Sequence, residues 1–174
     1  MTINTKTLAA IDIGTNAIRL FISNVEEYPT ETLFKKIAFL RVPIRLGEDV
    51  FTTGEIGQQK RKRLCETMQG FSYIMSAFNV ESYKAYATCA MREARNGKSV
   101  AEQIQKECDL NIEIISGTKE AETIFAGGMN EVVDDDKTYL YVDVGGGSTE
   151  VIVYSKSVKV EACSFPLGTV RMLN

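Results

Sequence analysis

The sequence predicts a layered α/β fold, on three observations. Residues 9–22 (AAIDIGTNAIRLFI) and 140–154 (LYVDVGGGSTEVIVY) repeat one pattern: an apolar strand, an Asp at its end, a Gly-containing turn and a second apolar strand. Residues 55–78 place Ile56, Leu64, Met68, Phe71, Met75 and Phe78 at helical spacing. Beyond the opening hairpin, strand and helix patterns alternate, which calls for helices layered on a sheet. At 174 residues the chain suits one domain, or one and a fraction, at ~100–200 residues each.

Taken in order, residues 8–24 read as strand, turn and strand, and residues 32–41 (TLFKKIAFLR) as a third strand of mixed charge. Residues 43–54 read as a loop. Thr52 and Glu55 have capping-box spacing ahead of the helix over residues 55–78. Its basic run, Lys60 to Arg63, lies mostly on the polar face and reads as solvated surface rather than polyanion contact. Residues 83–88 form a short strand and residues 90–95 a short helix. Ser99 with Glu102 makes a second capping box for a helix over residues 100–108. Residues 112–115 are a strand and residues 120–129 a helix. An acidic loop over residues 130–137 follows, kept solvated by Asp134, Asp135 and Asp136. Residues 138–144, 150–154 and 158–164 are strands, and residues 166–174 look like entry to a helix. Three late strands cannot bury both faces of a sheet. Residues 1–127 therefore read as an N-terminal lobe, and residues 128–174 as the first strands of an incomplete second one.

Composition excludes several chemistries. The net charge of −3 gives no basic field for nucleic acid. There is no histidine, which removes the commonest general base and transition-metal ligand. Carboxylates, arginine, backbone amides and a hard metal ion remain. Cys65, Cys89, Cys108 and Cys163 form no C-x-x-C pair, so zinc is not expected, and Cys89 reads as a small buried thiol. No leader pattern or ~20-residue apolar span is present, so the expectation is a cytoplasmic protein away from membranes.

Laying Asp12 on Asp143 aligns Ile11 with Val142, Ile13 with Val144 and Gly14 with Gly145, and sets Arg19 opposite Glu150. Turns of this kind offer backbone N–H groups to an anion, and their glycines admit a phosphate closely. One D-x-G turn alone is also ordinary hairpin punctuation. The run Gly145-Gly146-Gly147-Ser148 and the repetition in register favour a two-jawed phosphate clamp, with Asp12 and Asp143 placed to hold a metal. Two further segments join it. In YATCAMREARN a strand runs into a helix carrying Arg92 in its first turn, where a guanidinium fork suits phosphate oxygens, although pairing with Glu93 or Glu102 would serve as well. In IISGTKEAETIFAGG, Glu120 lies in a helix's first turn, an ordinary partner of the helix dipole that could also deprotonate a water. Glu122 points to another face.

Together, and in this order, DIGTNAIRL, ATCAMREARN, ISGTKEAETIFAGG, VDVGGGSTE and SFPLGTVRM resemble the exopolyphosphatase and guanosine pentaphosphate phosphatase family, Ppx/GppA. The resemblance spans nearly the whole chain. It implies the acetate and sugar kinase–actin superfamily, with two ribonuclease H-like lobes around a phosphate cleft. By that resemblance Gly14, Thr15 and Asn16 form the first phosphate loop, with Asp12 at its edge. Gly145, Gly146, Gly147 and Ser148 form the second loop. Arg19 and Arg92 bind phosphate, Asp143 and Glu150 belong to the metal and phosphate site, and Glu120 is the catalytic base. The implied reaction is hydrolysis of a terminal phosphoanhydride of polyphosphate or guanosine pentaphosphate (pppGpp) with Mg2+. The rival expectations are a non-catalytic polyphosphate- or alarmone-binding module and an actin-like ATPase or sugar kinase. Family members normally continue through a complete second lobe. An incomplete one would expose sheet edges and invite pairing of copies as a homodimer.

Overall fold

The computed structural model describes residues 4–126, 136–156 and 158–173. Its larger sheet has five strands: β1 (Asn4–Ile13), β2 (Ile18–Glu27), β3 (Thr32–Val42), β4 (Ser82–Ala87) and β5 (Glu113–Ile114), in the order β3-β2-β1-β4-β5. The first three pair antiparallel, and β4 and β5 join in parallel. The smaller sheet holds β6 (Thr138–Val144), β7 (Thr149–Ser155) and β8 (Val158–Phe165), all antiparallel.

Strand parity decides what each face does. On β1 and β2, Ile11, Ile13, Ile18, Leu20 and Ile22 are fully buried in the main core. That core is closed by α2 (Gln58–Ala77), through Leu64, Met68 and Phe71, and by α4 (Gly97–Cys108), through Val100 and Ile104. Residues of opposite parity come out on the other face. There the pairings Arg41–Arg19–Asp12–Tyr86 and Phe39–Phe21–Ala10–Lys84 make two rows across the sheet. The even positions of β7 behave alike: Ile152 and Tyr154 bury against Ala121 of α5 (Gly117–Ala126). The outer face of the smaller sheet leaves Leu140 66%, Val142 49% and Val144 59% exposed.

Several boundaries differ from the sequence expectations. Residues 43–54 are not all loop, because α1 (Leu46–Thr53) forms there with Leu46 and Val50 buried. It ends at Gly54, whose positive φ of 80° suits a residue without a side chain. Thr52 is therefore inside α1, its hydroxyl donating to the Glu48 carbonyl at 2.7 Å. α2 instead begins after Gly57, with no side-chain cap. The second capping box also fails: α4 begins after Asn96, so Ser99 lies within the helix. The Asn96 amide is engaged elsewhere, accepting from Ile56 N and donating to Ile56 O, both at 2.9 Å. The short α3 (Cys89–Glu93) carries Arg92 in its last turn rather than its first. α5 begins at Gly117, three residues before the expected start. Residues 166–174 supply only a 3-10 turn, Arg171–Leu173. The expected end of α5 at Met129, most of the acidic loop with Asp134 and Asp135, and the lobe boundary at 127/128 lie outside the described residues. In the basic run, Lys60 pairs with Glu48 at 2.9 Å and Asp49 at 2.8 Å. Among the described residues no helix is long and apolar enough to cross a membrane.

Candidate functional site

The repeat seen in the sequence is reproduced in the strand pairing and in the hydrogen bond that closes each turn. Asp12 faces Arg19 across β1 and β2, and Asp143 faces Glu150 across β6 and β7. Gly14 N–H donates to Ala17 O at 3.2 Å, and Gly145 N–H donates to Ser148 O at 2.8 Å, closing the same turn twice. The carbonyls of both turns are drawn backwards. Thr15 O accepts from Gly47 N at 3.0 Å and Asn16 O from Arg45 N at 2.9 Å. Gly145 O accepts from Thr169 N at 3.0 Å, and Gly146 O from Val170 N at 2.8 Å and Arg171 N at 3.0 Å. With its carbonyls held behind it, the second turn keeps its amides outward. Those of Gly146 and Gly147 meet no acceptor among the described residues.

The turns also touch. A β-carbon on Gly146 would stand 3.1 Å from the Thr15 side chain, and one on Gly147 would be 2.5 Å from Cys89 Sγ and 2.9 Å from Thr15 Oγ1. Only glycine allows this approach. Both turns line one cavity of about 480 Å3, together with Asp12, Arg19, Glu120, Asp143 and Glu150. Phe21, Phe39 and Ile124 add apolar side chains to its wall. Every site residue expected from the sequence except Arg92 is on this wall.

Arg92 stands behind Glu120. Its Nη1 donates to the Ile115 carbonyl at 2.8 Å and to Glu120 Oε2 at 3.4 Å, so neither Glu93 nor Glu102 is its partner. Nη2 has no partner among the described residues. Arg19 is salt-bridged to Asp12. Glu150 is 1% exposed, and its Oε1 accepts from Ser148 Oγ at 2.7 Å and Ser164 Oγ at 2.8 Å. Such a buried carboxylate needs these donors. Glu122 pairs with Lys159 at 3.0 Å, away from the cavity.

Four carboxylates, those of Asp12, Glu120, Asp143 and Glu150, thus crowd one space near two guanidiniums. Burial, with Glu150 close by, pushes the Glu120 carboxyl up to about 7 against the pull of Arg92. Burial and Glu150 also raise Asp143 above the ordinary carboxylate range. Added positive charge would ease the entry of an anion beside these carboxylates. An all-oxygen donor set suits a hard cation such as Mg2+. No three acidic side chains among the described residues form a ready cage. Mg2+ is usually held by one or two carboxylates, waters and substrate phosphates, so the set fits. Cys89 is a buried thiol, as expected, with burial raising its pKa.

A model of the Ppx/GppA phosphatase family matches residues 12–174. The chain belongs to this family. It is 32% identical over 168 residues to the bifunctional 3-dehydroquinate synthase/phosphatase of Fusobacterium nucleatum, covering 94% of this chain and 25% of that protein. It is 28% identical over 170 residues to exopolyphosphatase 2 of Mycobacterium tuberculosis, covering 95% and 53%. The crystal structure of an exopolyphosphatase from Cytophaga hutchinsonii superposes with a TM-score of 0.87 at 29% identity, covering 97% of this chain and 53% of that one. The Aquifex aeolicus Ppx/GppA family member gives 0.78 at 26% identity, covering 97% and 54%. This Ppx/GppA chain therefore has the actin-like fold of the family and spans a quarter to about half the length of these relatives.

One site feature escaped the sequence. The segment after β3 and the segment after β8 tie the two turns alike, Gly47 N to Thr15 O and Val170 N to Gly146 O. Pro43 and Pro166, each just past a third strand, were the available signal.

Proposed function

We propose that the cavity grips the terminal phosphoryl group of inorganic polyphosphate or of pppGpp, and that the protein hydrolyses the adjacent phosphoanhydride bond. The observation that carries this is the convergence of both glycine turns and Glu120 on one cavity. The amides of Thr15 and Asn16 and of Gly146 to Ser148 bind the phosphoryl oxygens, with Arg19 and Nη2 of Arg92 adding charge, while Gly14 and Gly145 close the turns. Asp12, Asp143 and Glu150 would hold Mg2+, which offsets negative charge on the phosphates when bound.

Glu120 orients a water in line with the terminal phosphorus and takes its proton as the new P–O bond forms. The bridging oxygen leaves with the electron pair of the broken P–O bond on a chain shorter by one phosphate. Phosphoryl transfer needs mainly positioning and charge stabilisation, which these groups provide without histidine. The larger sheet with α1 to α4 acts as the N-terminal lobe, and the smaller sheet, with α5 packed on it, begins the second. All four cysteines are free, which suits a reducing cytoplasm.

Phosphate release from polyphosphate, pppGpp and ATP, each with and without Mg2+, tests the reading. Mg2+-dependent release from either of the first two supports it. Tight binding with no release would leave an alarmone- or polyphosphate-binding module, and preference for ATP would indicate an actin-like ATPase.

A further inference from the structure

The Arg171 side chain, in the turn after β8, joins four groups from three elements. Its Nε donates to Gly147 O at 2.7 Å. Its Nη2 donates to Glu93 at 2.6 Å and to Cys89 Sγ at 3.4 Å, both on α3. Its guanidinium lies 4.1 Å over the ring of Phe51 on α1. No role assigned above uses this side chain. Among the described residues, the carbonyls of the first turn are held by backbone amides, those of Arg45 and Gly47. The second is the glycine-rich one, with the greater backbone entropy to lose on ordering. A planar fork with several donors can serve a carbonyl, a carboxylate and a ring face at once, which an ammonium cannot.

We propose that Arg171 is a positioning residue that holds the second phosphate turn, amides outward, against the helix that carries Arg92. It does not line the cavity. It fixes the Gly146 and Gly147 amides relative to α3, next to the Arg92 guanidinium. This rests on the proposed phosphate site and adds a residue to it.

The test uses the whole 174-residue chain with inorganic tripolyphosphate and Mg2+, followed by calorimetry and by the backbone amide resonances of Gly146 and Gly147. The wild type should bind and shift both resonances. Arg171→Met and Arg171→Lys should fold, and should bind roughly 10- to 100-fold more weakly, the loss expected from hydrogen bonds to a charged donor. Their Gly146 and Gly147 resonances should be broadened or displaced before ligand is added, with Ile22 unchanged. Either folded variant binding within twofold of wild type would overturn the proposal. So would loss of cooperative unfolding in both, which would assign Arg171 to the fold. A wild type that does not bind overturns the phosphate site itself, a result distinct from either.

Discussion

Replacing Glu120 by Gln should slow hydrolysis and, at neutral pH and above, stabilise the fold. The carboxyl is pushed up to about 7 from an ordinary 4.5, first by burial and then by Glu150. A raised acid pKa means that the native state holds its proton longer than the unfolded chain. Stability conferred by the neutral form is therefore complete below pH 4.5, falls as pH rises towards 7, and is absent above it. The interval corresponds to ~3 kcal/mol at most. Glu120 lines the cavity and keeps 18% side-chain exposure, so solvent screening makes this an upper bound. Gln cannot ionise and should escape the penalty. Thermal and urea unfolding of both proteins between pH 4 and 9 would show equal stability at the acid end and a more stable variant at the alkaline end. In turnover, the wild-type kcat/KM should rise with pH through about 7, whereas the Gln variant should lose ~10²–10⁴ in rate and the acid limb with it. Parallel stability curves, or a variant with the wild-type rate and pH profile, would refute the reasoning.

Gly147→Ala would drive a β-carbon to 2.5 Å from Cys89 Sγ and 2.8 Å from Phe51. It should cost ~1–3 kcal/mol of stability and abolish tripolyphosphate binding by calorimetry. Asn96→Ala removes both hydrogen bonds to Ile56 and should cost ~2 kcal/mol in urea unfolding with phosphate affinity unchanged. Ser164→Ala leaves the buried Glu150 with one donor fewer. It should cost ~1–3 kcal/mol, read from urea unfolding.

The parts of the molecule legible in the sequence are those whose pattern repeats. Asp12 and Asp143, with the apolar residues before and after them, announced two hairpins whose registers pair Asp12 with Arg19 and Asp143 with Glu150. α2 was readable because its 20 residues keep one apolar stripe over several turns. α1 was not. Eight residues with a Gly and two Thr have weak intrinsic preference, and such a helix forms because Leu46 and Val50 find the core. Both capping boxes failed for one reason: the residue expected to cap already lies inside a helix. Thr52 sits within α1 and Ser99 within α4. In the site, the family resemblance singled out Glu120, which its local setting read as a helix-dipole partner, and neither gave a hint of its pKa, which depends on burial and on Glu150 from a strand 30 residues on in the chain. Arg171 was hidden for the same reason, since its partners Cys89 and Glu93 are 82 and 78 residues away.

The central claim is that the two Asp-headed turns hold one anion between them. Titrating the chain with tripolyphosphate and Mg2+ while following the amides of Gly14 to Asn16 and of Gly145 to Ser148 tests it directly. The account predicts that both sets move together, with one dissociation constant and one ligand per chain. Response from a single turn, or two sets saturating independently, would contradict it.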